Sequence, residues 1–143
     1  MNKVLKYLVL YMVSSFFFAC EEEEIPYIQK NDQLYIGYWE DSGFTDSTNI
    51  FKRKKDLAES TYAFAILADG TFLENKNSGW CGTPPINYAR YEGSWLEVAR
   101  DTLLISTEFW GGNMTFNLII KYVDEETMEV VMEYLDLKGN SLR

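Results

Sequence analysis

The 143-residue sequence contains no histidine. Histidine is the commonest general base and a frequent metal ligand, so its absence removes Ser-His and Cys-His catalysis and histidine-bearing metal sites. Positive charge is also scarce, since 13 Lys and Arg stand against 22 Asp and Glu and give a net charge of −9. This balance disfavours nucleic acid as a partner, because a phosphate backbone is bound by a basic face.

Reactive groupings are scarce as well. The acidic residues show no metal-ligand spacing, and the carboxylate pairs Glu40-Asp41 and Glu125-Glu126 lie at predicted turns. Cys81 has no histidine to activate it, and we expect it to be a buried free thiol that packs as a small hydrophobe. We therefore predict a protein that is not an enzyme, with no catalytic residue, no bound metal and no cofactor.

The N-terminal apolar run is short. It extends from Tyr7 to Ala19, which is 13 residues, whereas a helix that spans a bilayer needs about 20. Lys3 and Lys6 precede it, and a small residue ends it. A basic start, an apolar run and a small residue at the cut are typical of a signal peptide, which we predict for residues 1–19.

Cys20 follows Ala19 directly, and this junction resembles the lipobox of bacterial lipoproteins. In that family a diacylglycerol is attached to the cysteine thiol, and cleavage leaves the lipidated cysteine as the first residue. The resemblance implies a membrane anchor at Cys20, and with it that Cys81 has no disulfide partner in the chain. The alternative is an ordinary secretory signal followed by an incidental cysteine.

Four glutamates, Glu21 to Glu24, follow the cysteine. Adjacent carboxylates repel one another and stay solvated, so residues 20–33 are predicted to form an acidic tether. The run is also similar to the export signal that directs lipoproteins of Bacteroidetes to the outer face of the outer membrane. Since residues 1–19 hold two basic residues and no acidic one, the chain from Cys20 carries a net charge of −11.

Residues 34–143 form the single predicted domain. Short runs of β-branched and aromatic residues alternate there with turn residues, and Asp69-Gly70 is a strong hairpin signal. The predicted strands are 34–40, two runs on either side of Asp69-Gly70 within 61–77, 89–99, 102–110, 114–123 and 127–137. Alternation predicts that Phe64 and Ile66 share one face of their strand while Ala63 and Ala65 share the other, and that the even-numbered residues 116–122 share one face of 114–123. Segment 50–60 is the one helical candidate, or else a basic loop. The pattern predicts an all-β, antiparallel up-and-down meander of about seven or eight strands that closes into a barrel or half-barrel.

This domain resembles the lipocalin-like lipoproteins of Bacteroidetes over roughly residues 34–137. The resemblance is carried by four stretches: Gly37-Tyr38-Trp39, TYAFAILADGTF (61–72), WCGTPPINYARYEGSW (80–95) and FWGG (109–112). It implies that Gly37 and Trp39 form the motif at the closed base of a barrel. Lipocalins place an arginine from a late strand against that tryptophan, and segment 127–137 contains no arginine.

A barrel interior can hold one small ligand, and the abundant aromatic residues suggest its walls. Trp80 and Trp110 adjoin irregular glycine-containing segments and are predicted at the mouth. The candidate ligand-binding residues are Trp80, Trp95, Trp110, Tyr62, Phe64 and Phe116. The alternative is that these rings are core and turn packing. The basic cluster Lys52–Lys55 is either a solvated face or a dock for anionic groups.

These patterns lead to one functional hypothesis and one alternative. The hypothesis is a non-enzymatic lipoprotein, anchored in the outer membrane through Cys20 and facing either the cell surface, as the acidic run favours, or the periplasm. Its lipocalin-like barrel binds a small hydrophobic or amphipathic molecule. The alternative is a structural or interaction module whose barrel is filled by its own side chains and whose surface contacts another protein or a glycan.

Overall fold

The structure, a computed structural model, describes residues 33–79 and 85–136 of the chain. Within those ranges the chain forms eight β-strands and no helix. The strands are β1 (Gly37–Phe44), β2 (Asn49–Lys54), β3 (Ala63–Ile66), β4 (Thr71–Asn77), β5 (Tyr88–Ala99), β6 (Thr102–Phe109), β7 (Gly112–Val123) and β8 (Thr127–Tyr134).

The sheet closes into a barrel in which every strand is antiparallel to both neighbours. The order around the barrel is β1-β2-β8-β7-β6-β5-β4-β3, and β3 then pairs with β1. The predicted all-β antiparallel class is confirmed, and closure is complete rather than partial. One detail differs from a simple meander: β3 to β8 follow one another around the wall, but β1 lies between β2 and β3.

The segment between β2 and β3 explains that order. Strands β2 and β3 run in the same direction, so residues 55–62 must return from one end of the barrel toward the other. Leu57, 8% exposed, packs there with Ala63 and Ala65, and Tyr38 packs against the same cluster. The strand residues of this cluster alternate with inward-facing residues and therefore point outward. Since Leu57 packs on them, the segment crosses the outer face of the barrel wall.

The predicted helix over 50–60 is wrong. Residues 49–54 are strand β2, with Phe51 and Arg53 turned inward and Lys52 and Lys54 exposed on the outside. This is a period of two, but only one position of the inward set is apolar. The run of four basic residues therefore obscured the apolar alternation by which a strand is recognised in a sequence.

The interior is filled by large side chains from most of the wall. Four phenylalanine rings form its centre, with centroid separations of 4.7 Å for Phe51–Phe64, 5.6 Å for Phe64–Phe72 and 6.2 Å for Phe72–Phe116. Trp39, at 1% exposure, belongs to the same core on the side of the base. The remaining buried members of this core are Ile66, Leu103, Ile105, Leu118, Ile120, Met128 and Val130.

The alternation predicted for two segments can be compared with the structure. Phe64 and Ile66 face the interior while Ala63 and Ala65 face outward, as expected from their spacing. In β7 the expected inward set fails at Tyr122, which is 51% exposed. A bulge between Ile120 and Tyr122 shifts the register against β8 and turns Val123 toward the core instead.

Because neighbouring strands are antiparallel, successive connections lie at opposite ends of the barrel. We call the end with turns 67–70, 100–101 and 124–126 the base. Residues 33–36, which lead into β1, lie at that end too. The opposite, upper end carries turns 45–48 and 110–111, together with the last residues of β4 and the first of β5. The Asp69-Gly70 hairpin is confirmed at the base, where Leu67 N–H donates to Thr71 O over 3.0 Å.

Gly93 is where β5 approaches β6 too closely for a side chain. A Cβ added there would collide with the backbone carbonyl oxygen of Ser106 and lie 2.9 Å from the Cα of Thr107. Both are backbone atoms of a paired strand, so neither can swing away. The close approach lies beside the buried Phe72, which pairs with Gly93 across β4 and β5.

We therefore expect Gly93→Ala to lower the free energy of unfolding by about 1–3 kcal/mol or more, as overpacking of a core does. The measurement is chemical denaturation followed by tryptophan fluorescence. Ser94→Ala is the matched control, because Ser94 is the adjacent exposed position on the same strand. Equal stability of the two variants would contradict the close approach.

Candidate functional site

The base of the barrel is closed by Trp39 and Arg53. The Arg53 guanidinium lies over the Trp39 ring, with its central carbon 4.2 Å from the ring centroid. Arg53 Nε donates to Glu125 O over 2.7 Å and Nη1 to Ile36 O over 2.8 Å. Nη2 donates to Leu34 O. The planar fork thus ties the lead into β1 and the β7–β8 turn to the tryptophan.

Gly37 supplies the space for this arrangement. Its φ is +143°, and a Cβ added there would collide with Nη1 of Arg53. The glycine of the Gly37-x-Trp39 element is therefore required both by backbone conformation and by the approach of the guanidinium. The arginine that packs on Trp39 is therefore on β2, the neighbour of β8 in the closed barrel, and not on the last strand.

Trp95 also lies at the base. Its indole Nε1 donates to Leu67 O over 2.7 Å, and Tyr35 meets it edge-on at a centroid distance of 5.8 Å. Leu67 opens the β3–β4 turn. Trp95, proposed from sequence as a ligand-binding residue, is therefore placed at the closed end and not with Trp110 at the upper end.

The upper part of the interior holds charged groups instead of apolar ones. Glu74, 3% exposed, accepts a hydrogen bond from Tyr62 Oη over 2.8 Å at Oε1. Its other oxygen, Oε2, pairs with Lys76 Nζ at 2.5 Å, and the Lys76 side chain is 13% exposed. Glu74 and Lys76 lie on the inward side of β4 with Phe72. The inward residues of β4 therefore change from apolar near the base to charged toward the upper end.

Two methionines complete this group. Lys76 Nζ lies 3.2 Å from Sδ of Met114 on β7, and Tyr62 Oη lies 3.8 Å from Sδ of Met132 on β8. We call Tyr62, Glu74, Lys76, Met114 and Met132 the polar cluster. Its residues lie on β4, β7 and β8, except Tyr62, which directly precedes β3. The nearby Tyr91 ring faces Lys76 Nζ at 5.1 Å.

Burial and the neighbouring carboxylate set the electrostatics of the polar cluster. Burial raises the pKa of Tyr62 well above its usual value near 10, and the charge of Glu74 raises it further. Burial also raises the pKa of Tyr134, again with a contribution from Glu74. Both phenols therefore stay protonated through the neutral and mildly alkaline range, where they are able to donate hydrogen bonds.

The other predicted ligand-binding residues fall into three groups. Phe64 and Phe116 are fully buried and both contact Phe72 in the core. Trp110 is 58% exposed in the β6–β7 turn and contacts Phe109. Trp80 lies outside the described residues, as do Cys20 and Cys81.

The basic cluster predicted at Lys52–Lys55 is divided by the strand. Arg53 belongs to the base, Lys54 Nζ pairs with Glu40 Oε2 at 2.6 Å, and Lys52 Nζ donates to Thr127 Oγ1 over 2.6 Å. An open surface groove of about 500 Å³ is lined by this cluster together with Glu125 and Glu126. Carboxylates thus sit beside the lysines, and the groove is mixed in charge.

Sequence reasoning did not single out three residues on which the base and the polar cluster depend: Arg53, Glu74 and Lys76. The signal for the last two was present, because Glu74 and Lys76 stand two and four residues after the inward Phe72. Charged residues at inward positions of a strand indicate either a buried polar group or the end of the core. Arg53 was visible only as a member of the basic cluster Lys52–Lys55, since its partners Leu34, Ile36 and Glu125 are distant from it in sequence.

Among residues 33–79 and 85–136, no three Cys, Asp or Glu side chains are grouped so that they could hold a metal ion. No helix in that part of the chain is long and apolar enough to cross a membrane. The chain matches no family model, no curated protein and no solved structure.

We expect Arg53→Lys to lower the free energy of unfolding by about 2–4 kcal/mol. Lysine keeps the charge but cannot reach three backbone carbonyls and stack on Trp39 at once. Chemical denaturation gives the value, and Lys52→Arg on the exposed side of the same strand is the control. A loss below about 0.5 kcal/mol, the range of ordinary surface substitutions, would contradict the role of Arg53.

The pKa of Tyr62 predicts a distinctive loss of stability in alkali. The unfolded chain releases the Tyr62 proton near pH 10, whereas the folded chain retains it. Stability from this group is therefore complete below pH 10 and falls as the pH rises further, by up to about 1.4 kcal/mol per pH unit.

Tyr62→Phe should consequently show a shallower fall in the free energy of unfolding between pH 10 and 12 than the unmodified chain. Denaturation series at stepped pH measure the slope. Tyr38→Phe is the control, because Tyr38 packs against the cluster around Leu57 on the outer face of the wall. If Tyr62→Phe and the unmodified chain fall equally steeply, the phenol is not held protonated by burial.

Proposed function

We propose that this protein is a non-enzymatic lipoprotein of the bacterial outer membrane, anchored through Cys20, whose barrel binds a small amphipathic molecule at its upper end. The observation that carries the proposal is the buried Glu74–Lys76 pair with Tyr62, which lies above the apolar centre of the barrel. A buried ion pair contributes little net stability compared with apolar packing, so its retention favours a role in recognition.

The two ends of the barrel support the same interpretation. The base is occupied by Trp39, Arg53 and Trp95, which are held by hydrogen bonds to backbone carbonyls. The upper end has turns 45–48 and 110–111 and the partly exposed Tyr134. Binding sites in barrels form at such mouths, where loops vary and the wall is fixed.

A second function is favoured by the packed centre of the barrel. Phe51, Phe64, Phe72 and Phe116 occupy the space that a larger apolar ligand would need. A barrel filled by its own side chains would act as a scaffold, with surface residues such as the 83% exposed Phe44 contacting a protein or glycan. This alternative predicts no small-molecule adduct.

Native mass spectrometry separates the two. The chain from residue 20 onward, with Cys20→Ser so that no lipid is attached, is purified gently from bacteria. The binding proposal predicts a reproducible adduct of a few hundred daltons that leaves on mild activation, as a small amphipath would. A clean mass that no member of a lipid screen shifts would reject binding and leave the filled scaffold.

The anchor is tested separately in a Gram-negative host by metabolic labelling with a fatty acid. The full chain should incorporate the label and fractionate with the outer membrane, because the cysteine thiol carries the lipid. Cys20→Ser should lose both, whereas Cys81→Ser should keep both. Labelling that persists in Cys20→Ser would contradict the lipoprotein assignment.

A further inference from the structure

We infer that the polar cluster recognises the head group of an amphipathic anion, a carboxylate on an alkyl chain, through Lys76. This inference rests on the proposed function and specifies its ligand. The ligand oxygen would take the place that Sδ of Met114 now occupies beside Lys76 Nζ.

The contacts of Lys76 favour an acceptor. An ammonium group has three protons to donate. Among the described residues, Lys76 Nζ donates one to Glu74 Oε2 and one toward Met114 Sδ at 3.2 Å. A thioether is a weak acceptor, and a charged donor gains much more from a charged oxygen. Met114 is unbranched and flexible, so it can yield that position at small cost.

The contacts of Glu74 disfavour a cation. One of its oxygens accepts from Tyr62 and the other from Lys76, so a ligand ammonium would have to displace one of them from a carboxylate that is 3% exposed. The Glu74–Lys76 pair is neutral as a whole. A ligand carboxylate instead adds to Lys76 without displacing either partner of Glu74, and its charged hydrogen bond to the ammonium offsets part of the cost of burying it.

The position of the cluster suits an alkyl chain as well as a head group. Met132 and Tyr134 stand on β8 beside it, and Tyr134 is 41% exposed. The Tyr134 ring contacts the buried Phe116 at 5.4 Å. A short alkyl chain would lie along these side chains at the upper end, above the filled centre of the barrel.

The test compares decanoate with decanol, two probes of the same chain length that differ in the head group. Isothermal titration calorimetry at pH 7.5 gives both affinities for the unlipidated chain from residue 20. We expect decanoate to bind about tenfold or more tightly than decanol, the difference that one charged hydrogen bond makes. Lys76→Met should reduce decanoate binding to the decanol level and leave decanol unchanged.

Two further variants keep the test decisive. Lys76→Met leaves Glu74 buried without its partner, so the double variant Glu74→Gln/Lys76→Met removes both charges and restores a neutral cluster. It should fold and bind decanol but lose the preference for decanoate. Lys121→Met on the exposed face of β7 should change neither affinity.

The outcomes separate the inference from the proposed function. If both probes bind and Lys76→Met leaves decanoate unaffected, or Lys121→Met weakens it equally, the head-group role of Lys76 is overturned and binding at the upper end stands. Tighter binding of decanol than of decanoate would overturn the inference in the same way. If neither probe binds the unmodified chain, the proposed amphipath-binding function fails, and the inference fails with it.

Discussion

The barrel depends on β2, which joins the first strands to the last. One edge of this six-residue strand pairs with β1 and the other with β8, so it is the piece of wall that converts a curved sheet into a closed one. It also carries Arg53, whose guanidinium fastens the base to Trp39. Removal of the sheet edges and closure of one end therefore follow from the same short segment.

The interior of the barrel has three layers of side chains between the closed base and the upper end. The side chains change along the barrel, from stacked Trp39 and Arg53, through a centre of phenylalanine rings, to the charged polar cluster. Each layer follows from inward positions on neighbouring strands. Buried charge is tolerated only where partners are present, and Glu74 has them in Tyr62 and Lys76. The upper end thus combines a chemical group suited to recognition with a rigid wall beneath it.

Much of this architecture was predictable from local pattern. The alternation of Phe64 and Ile66 with alanines, and the Asp69-Gly70 turn, specify a hairpin without knowledge of the rest of the chain. Non-local features were not predictable. The bulge that turns Tyr122 outward depends on register with β8, and the strand at 49–54 is concealed by its basic residues. The site was predicted by ring type, which grouped Trp95 with Trp110 as a ligand-binding candidate, whereas its hydrogen bond to Leu67 O holds Trp95 at the base.

The central claim is that small-molecule binding is confined to the upper end. Three methionines follow Cys20 in the sequence, and they sample the barrel by height: Met114 and Met132 in the polar cluster, and Met128 fully buried near the base. The most direct measurement is a titration of the 13C-methyl-methionine-labelled chain with decanoate, followed by NMR. The account predicts saturable shifts of the Met114 and Met132 methyl signals and an unmoved Met128 signal. A Met128 signal that shifts as much as the others, or no shift in any of them, would contradict it.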